Sequence, residues 1–68
     1  MKAFTLVGVD GNAFAVMGYT ARALRKAGLE DKVKEMYEKA KSGDYHHLIA
    51  VCQEYIEMAN EAMGLTEE

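Results

Sequence analysis

Proline and tryptophan are missing from this chain, and cysteine and serine occur once each, as Cys52 and Ser42. Each scarcity removes a class of explanation. One cysteine cannot make an internal disulfide, so the staple of many small secreted domains is ruled out. A lone thiol suits a reducing compartment, and the chain is expected in the cytoplasm. Without proline no helix interior carries its penalty of about 3 kcal/mol. One serine leaves little for nucleophilic catalysis. Ser42, Asp44 and His46 are close in sequence, but a triad is defined by geometry rather than by nearness. Long apolar runs are lacking too. None approaches the roughly 20 residues needed to span a bilayer. The start Met1-Lys2-Ala3-Phe4-Thr5 has no apolar h-region of a signal peptide.

What remains is a chain of 68 residues, half of them hydrophobic, with a net charge of −3. That is one domain, expected over residues 1–63, with a flexible tail at 64–68. A chain this short buries only roughly 60% of its unfolded surface, so a partner chain would help it. The charge is segregated. Residues 1–28 carry +3, residues 29–44 carry −1 and residues 45–68 carry −5. A protein that binds nucleic acid mainly through phosphates should be basic, so the balance disfavours that role.

The run Val7-Gly8-Val9-Asp10-Gly11-Asn12-Ala13-Phe14 turns a period-two pattern into a helix. Residues 2–9 read as a strand with Phe4 and Leu6 on one face and Thr5, Val7 and Val9 on the other. Both faces are largely apolar, which implies that both are covered. Asp10 and Gly11 supply a turn, and Asn12 caps a first helix over about 13–27. Its stripe is Phe14, Met17, Ala21 and Leu24, and Gly18 in its middle implies close approach of another backbone. Gly28 closes it. A second helix is expected over about 30–41, with Val33, Met36, Tyr37 and Ala40 buried. Gly43 ends it, and Asp44 caps a third helix over about 45–63. The third helix is apolar over so wide an arc that it needs two neighbours. The expected fold is therefore small α+β, one N-terminal strand and three helices. The strand has unpaired edges, so pairing across a homodimer is expected.

Three constellations bear on function. Asp44, His46, His47 and Cys52 have metal-ligating side chains, but Cys52 lies six and five residues after the histidines, whereas one helix face asks for three or four. A metal- or pH-responsive role through His46 and His47 is one alternative function. Arg22, Arg25 and Lys26 form a basic patch on the first helix, and a nucleic-acid-binding regulator using it is a second alternative. Glu54, Glu57 and Glu61 form an acidic stripe on the third helix. Both charged sets are read first as solvated faces, or as pairing across the fold. Tyr19, Tyr45 and Tyr55 are candidate contact residues because tyrosine is enriched at interfaces, and Tyr55 is equally readable as core.

Val9-Asp10-Gly11-Asn12-Ala13-Phe14 with Gly18, and Ser42-Gly43-Asp44-Tyr45-His46-His47-Leu48, together with Ala23, Arg25, Ala27 and Gly28, carry a resemblance. Over about residues 7–49 the chain resembles an uncharacterised family of small proteins from bacterial genomes, phages and mobile elements. The position of His46 is often acidic in that pattern. The family brings no activity with it, and it implies a small accessory role in a mobile-element setting. The leading expectation is a non-enzymatic module that binds another protein, with no cofactor, no metal and no membrane association.

Overall fold

Asn12 has extended backbone angles, and its side-chain oxygen accepts the Ala15 N–H at 2.9 Å. This satisfies one of the free amides at the start of helix α1 (Ala13–Lys26). α1 ends where Gly28 takes a φ of +77° and the Leu29 N–H returns to the Leu24 carbonyl at 2.8 Å. A 3-10 turn over Glu30–Lys32 then leads into helix α2 (Val33–Ala40). The expected second helix thus begins as this tighter turn. Asp44 caps helix α3 (Tyr45–Met63) by accepting the His47 N–H at 2.9 Å. Gly64, at a φ of +68°, closes α3, and the Leu65 N–H bonds to the Asn60 carbonyl at 2.8 Å. The computed structural model describes residues 2–65. Of the expected tail, Gly64 and Leu65 form this cap, and 66–68 lie outside the described residues.

α3 is the centre of the molecule, with α1 packed on it most extensively and α2 beside it. Leu24 of α1, Met36 of α2, and Cys52, Tyr55 and Ile56 of α3 are completely or almost completely buried. Each large apolar side chain so buried contributes about 1.5–3 kcal/mol. The wide apolar arc of α3 finds its two neighbours within one chain, so it supplies no argument for a second subunit.

The α+β expectation is overturned: among the described residues there is no strand, and the fold is three helices. Residues 2–12 form an irregular arm laid over the helices. Its backbone is served by side chains instead of a neighbouring strand. Asn60 of α3 accepts the Phe4 N–H at 2.8 Å and donates its amide to the Phe4 carbonyl at 3.0 Å. The Tyr19 hydroxyl of α1 accepts the Thr5 N–H at 3.0 Å. The chain then turns at once, with Gly8 at a φ of +84° and the Val9 N–H bonded to the Leu6 carbonyl at 3.1 Å. An extended run this short, anchored on a helical amide, offers no ladder for a second copy. Strand pairing across a homodimer falls with it.

The alternation of the arm holds as far as Val7 and fails at Val9. Phe4 and Leu6 pack on the core, and the Phe4 ring meets Tyr19 edge-on at 6.5 Å. On the second face Val7 points away and is 85% exposed, whereas Val9, beyond the turn at Gly8, packs on the core. The positive φ of this region sits at Gly8 and not at Gly11, the glycine of the expected turn. Asp10 makes the local bond expected of it, accepting the Asn12 N–H at 3.0 Å.

Candidate functional site

Two helix starts converge at one end of the molecule. The arm delivers Gly11 beside α3, where the Tyr45 hydroxyl donates to the Gly11 carbonyl. Tyr45 therefore ties the start of α1 to the first residue of α3. Between the two helix starts runs an open groove of about 500 Å³. Met17, Ala40 and Leu48, all buried residues, line its floor. Phe14, Tyr45 and Lys41 line its rim. Phe14 is 81% exposed although it begins the α1 stripe. Phe14 is in the first turn of α1, with its ring on the rim of the groove.

The junction that places Lys41 and Asp44 is tightly bonded. The Lys39 carbonyl accepts the Ser42 N–H at 3.2 Å, the Ser42 hydroxyl at 2.7 Å and His47 Nε2–H at 2.7 Å. Donation to a carbonyl requires the proton on Nε2, so that nitrogen is not a free metal ligand. Gly43 is needed for space. A Cβ there would come within 2.7–2.9 Å of His47 Cγ, Cδ2 and Cβ. Ser42 and Asp44 are thus turn and cap residues.

His46 is exposed, and Cys52 is buried against Thr20 of α1. Burial pushes the Cys52 thiol up, which keeps it protonated and unreactive. Among the described residues no group of three or more His, Cys, Asp or Glu side chains is placed to hold a metal ion. The geometry does not bring the histidines and the cysteine together.

Arg22, Arg25 and Lys26 are exposed on α1. Arg25 Nε lies 3.3 Å from Glu30 Oε1, a solvated pair worth about 0–1 kcal/mol. Glu54, Glu57 and Glu61 are exposed on α3, and among the described residues no ion pair joins them to the basic patch. The two charged faces are solvated separately. Arg22 and Lys26 border a cavity of about 180 Å³ beside Phe4 and Tyr19.

The three tyrosines part company. Tyr45 lines the groove. Tyr19 is half-buried and holds the arm. Tyr55 is 1% exposed and belongs to the core, which removes it from any contact surface. Its hydroxyl donates to Glu35 Oε2 of α2 at 2.5 Å. Burial, reinforced by that carboxylate, pushes the Tyr55 phenol up to about 12. The hydrogen bond from Tyr55, helped by Lys32 and Lys39, holds Glu35 below the usual carboxylate range.

Two functional groups escape a reading of the sequence. Asn60 extends the spacing Cys52, Ile56, Asn60 along the core stripe of α3, and a lone amide there is the available sign of a buried polar contact. The exposure of Phe14 has no sign beyond its place in the first turn. Compared with models of protein families, with curated proteins and with solved structures, the chain matches none.

Proposed function

We propose that this chain is a small cytoplasmic module that binds another protein and catalyses no reaction itself. The observation that carries the reading is Phe14. An exposed phenyl ring on the rim of an apolar groove that Tyr45 also lines gives one continuous surface of the kind that protein partners cover. The groove offers shape and apolar area but no nucleophile with an adjacent base. Tyrosine at its edge adds a rigid contact with a polar tip. An accessory role also suits the resemblance carried by Asp10-Gly11-Asn12-Ala13-Phe14 and Ser42-Gly43-Asp44-Tyr45.

Affinity capture from the native host tests the reading, with the full chain and its Phe14→Ser variant compared after chemical cross-linking. The expected result is a cross-linked protein, a second copy or another chain, that the variant loses while its circular dichroism stays unchanged. Equal capture by both chains would overturn the assignment to this groove. The basic patch gives a competing outcome, since retention on DNA that falls steeply with salt and vanishes in Arg22→Ala/Lys26→Ala would replace it.

A further inference from the structure

We infer that the groove takes a second copy of this chain, with Phe14 of each protomer seated in the groove of the other. The inference rests on the protein-binding reading of the same surface and names its occupant. Three features favour a second copy. First, the patch holds a projecting ring and a recess side by side, Phe14 next to the space floored by Met17 and Leu48. A two-fold interface requires such self-complementarity, because the same residues must serve as knob and as socket. Second, the groove lining carries both signs. Lys41 and Asp44 border it; Asp44 Oδ1 accepts the His47 N–H, and Lys41 Nζ rests 5.4 Å from the centroid of the Tyr37 ring, an exposed contact that a carboxylate can displace. Two copies facing each other can set Lys41 of one against Asp44 of the other, whereas a lining of one sign would repel its own copy. Third, the acidic stripe lies away from the contact. Glu54 is nine residues beyond Tyr45, roughly 13 Å along α3, more than a Debye length of about 8 Å at physiological salt. The net charge of −3 therefore does little to oppose association at this end.

The contact does not use the backbone of Phe4 and Thr5, which Asn60 and Tyr19 already occupy. It differs in this from an edge-to-edge strand pair. Rings are its centre and the Lys41–Asp44 contacts its margin, so the rings set affinity and the charges set orientation.

Sedimentation equilibrium of the full chain from about 1 μM to about 1 mM spans the affinities that a modest interface gives. A reversible monomer–dimer equilibrium is expected. Phe14→Ser should raise the dissociation constant at least about tenfold, with unchanged helix content by circular dichroism. Asp44→Asn keeps the cap, because asparagine caps as well as aspartate, and removes the charge. It should weaken the dimer by a smaller factor and reduce its salt dependence. A dimer indifferent to Phe14→Ser would overturn the inference. So would a chain that stays monomeric throughout. In that case, capture of a host protein that is lost with Phe14→Ser would leave the protein-binding reading standing, and no capture would end both.

Discussion

The Tyr55 hydroxyl and the Glu35 carboxylate clamp α3 to α2, and their opposite shifts make stability depend on pH at both ends of the scale. Glu35 is held low, so its contribution is present above the usual carboxylate range and fades as pH falls through its lowered value. Tyr55 is held high, so its contribution is whole below the ordinary phenol value of 10.0 and fades as pH rises toward about 12. Thermal melts across pH should therefore show both limbs, and Tyr55→Phe should make both shallower. Asn60 is the second decisive residue. Asn60→Ala leaves the Phe4 N–H and carbonyl without partners. These groups are half-buried, so the loss should be about 1 kcal/mol, the low end for a stranded buried group, and should appear as a lower melting midpoint. Amide exchange at Phe4 should quicken in the same variant. Neither partnership is legible in the sequence. Each joins residues far apart in the chain, 20 and 56 positions, and no local pattern encodes such a pair.

At the scale of elements, the ends of the helices are far more legible than the arm. Asn12, Gly28 and Asp44 act through their own backbone neighbourhood, so short-range chemistry suffices to place them. The arm misleads because period-two alternation is broken at Gly8, after which Val9 turns to the core, and because it does not say what bonds the backbone. Phe4 and Leu6 do face the core, yet a helical asparagine and a tyrosine take the place of a neighbouring strand. Glycines show the same division. Gly18 needs no close backbone neighbour, contrary to expectation. A Cβ there would meet only Arg22 Nη1, at 3.7 Å, an ordinary contact. Gly18→Ala should therefore stabilise the chain by about 0.5–1 kcal/mol, through helix propensity and a less free unfolded state. Gly43→Ala should do the reverse, by about 1–3 kcal/mol, because the new methyl group would collide with His47 down to its Cβ. Denaturant melts of the two variants, read against the parent, check both signs. Asp44→Ala should remove about 1 kcal/mol by uncapping α3.

The whole molecule is a slab of 31 × 26 × 14 Å with a radius of gyration of 11.0 Å. Among the described residues no helix is long and apolar enough to cross a membrane. Small-angle scattering of dilute protein should give a radius near that of one chain, growing with concentration as copies pair. Phe14→Ser should move that growth to concentrations at least about tenfold higher. Which apolar side chain stays outside is the least legible property of all: Phe14 begins the α1 stripe and is still 81% exposed.

The Phe4–Asn60 pair has one more consequence. It joins positions separated by 56 residues, and so closes almost the whole chain into a loop. A chain stitched from residue 2 to residue 65 by a brief linker and reopened beside Gly28 would keep every helix and both caps of α3. Its order of synthesis would change while its contacts would not.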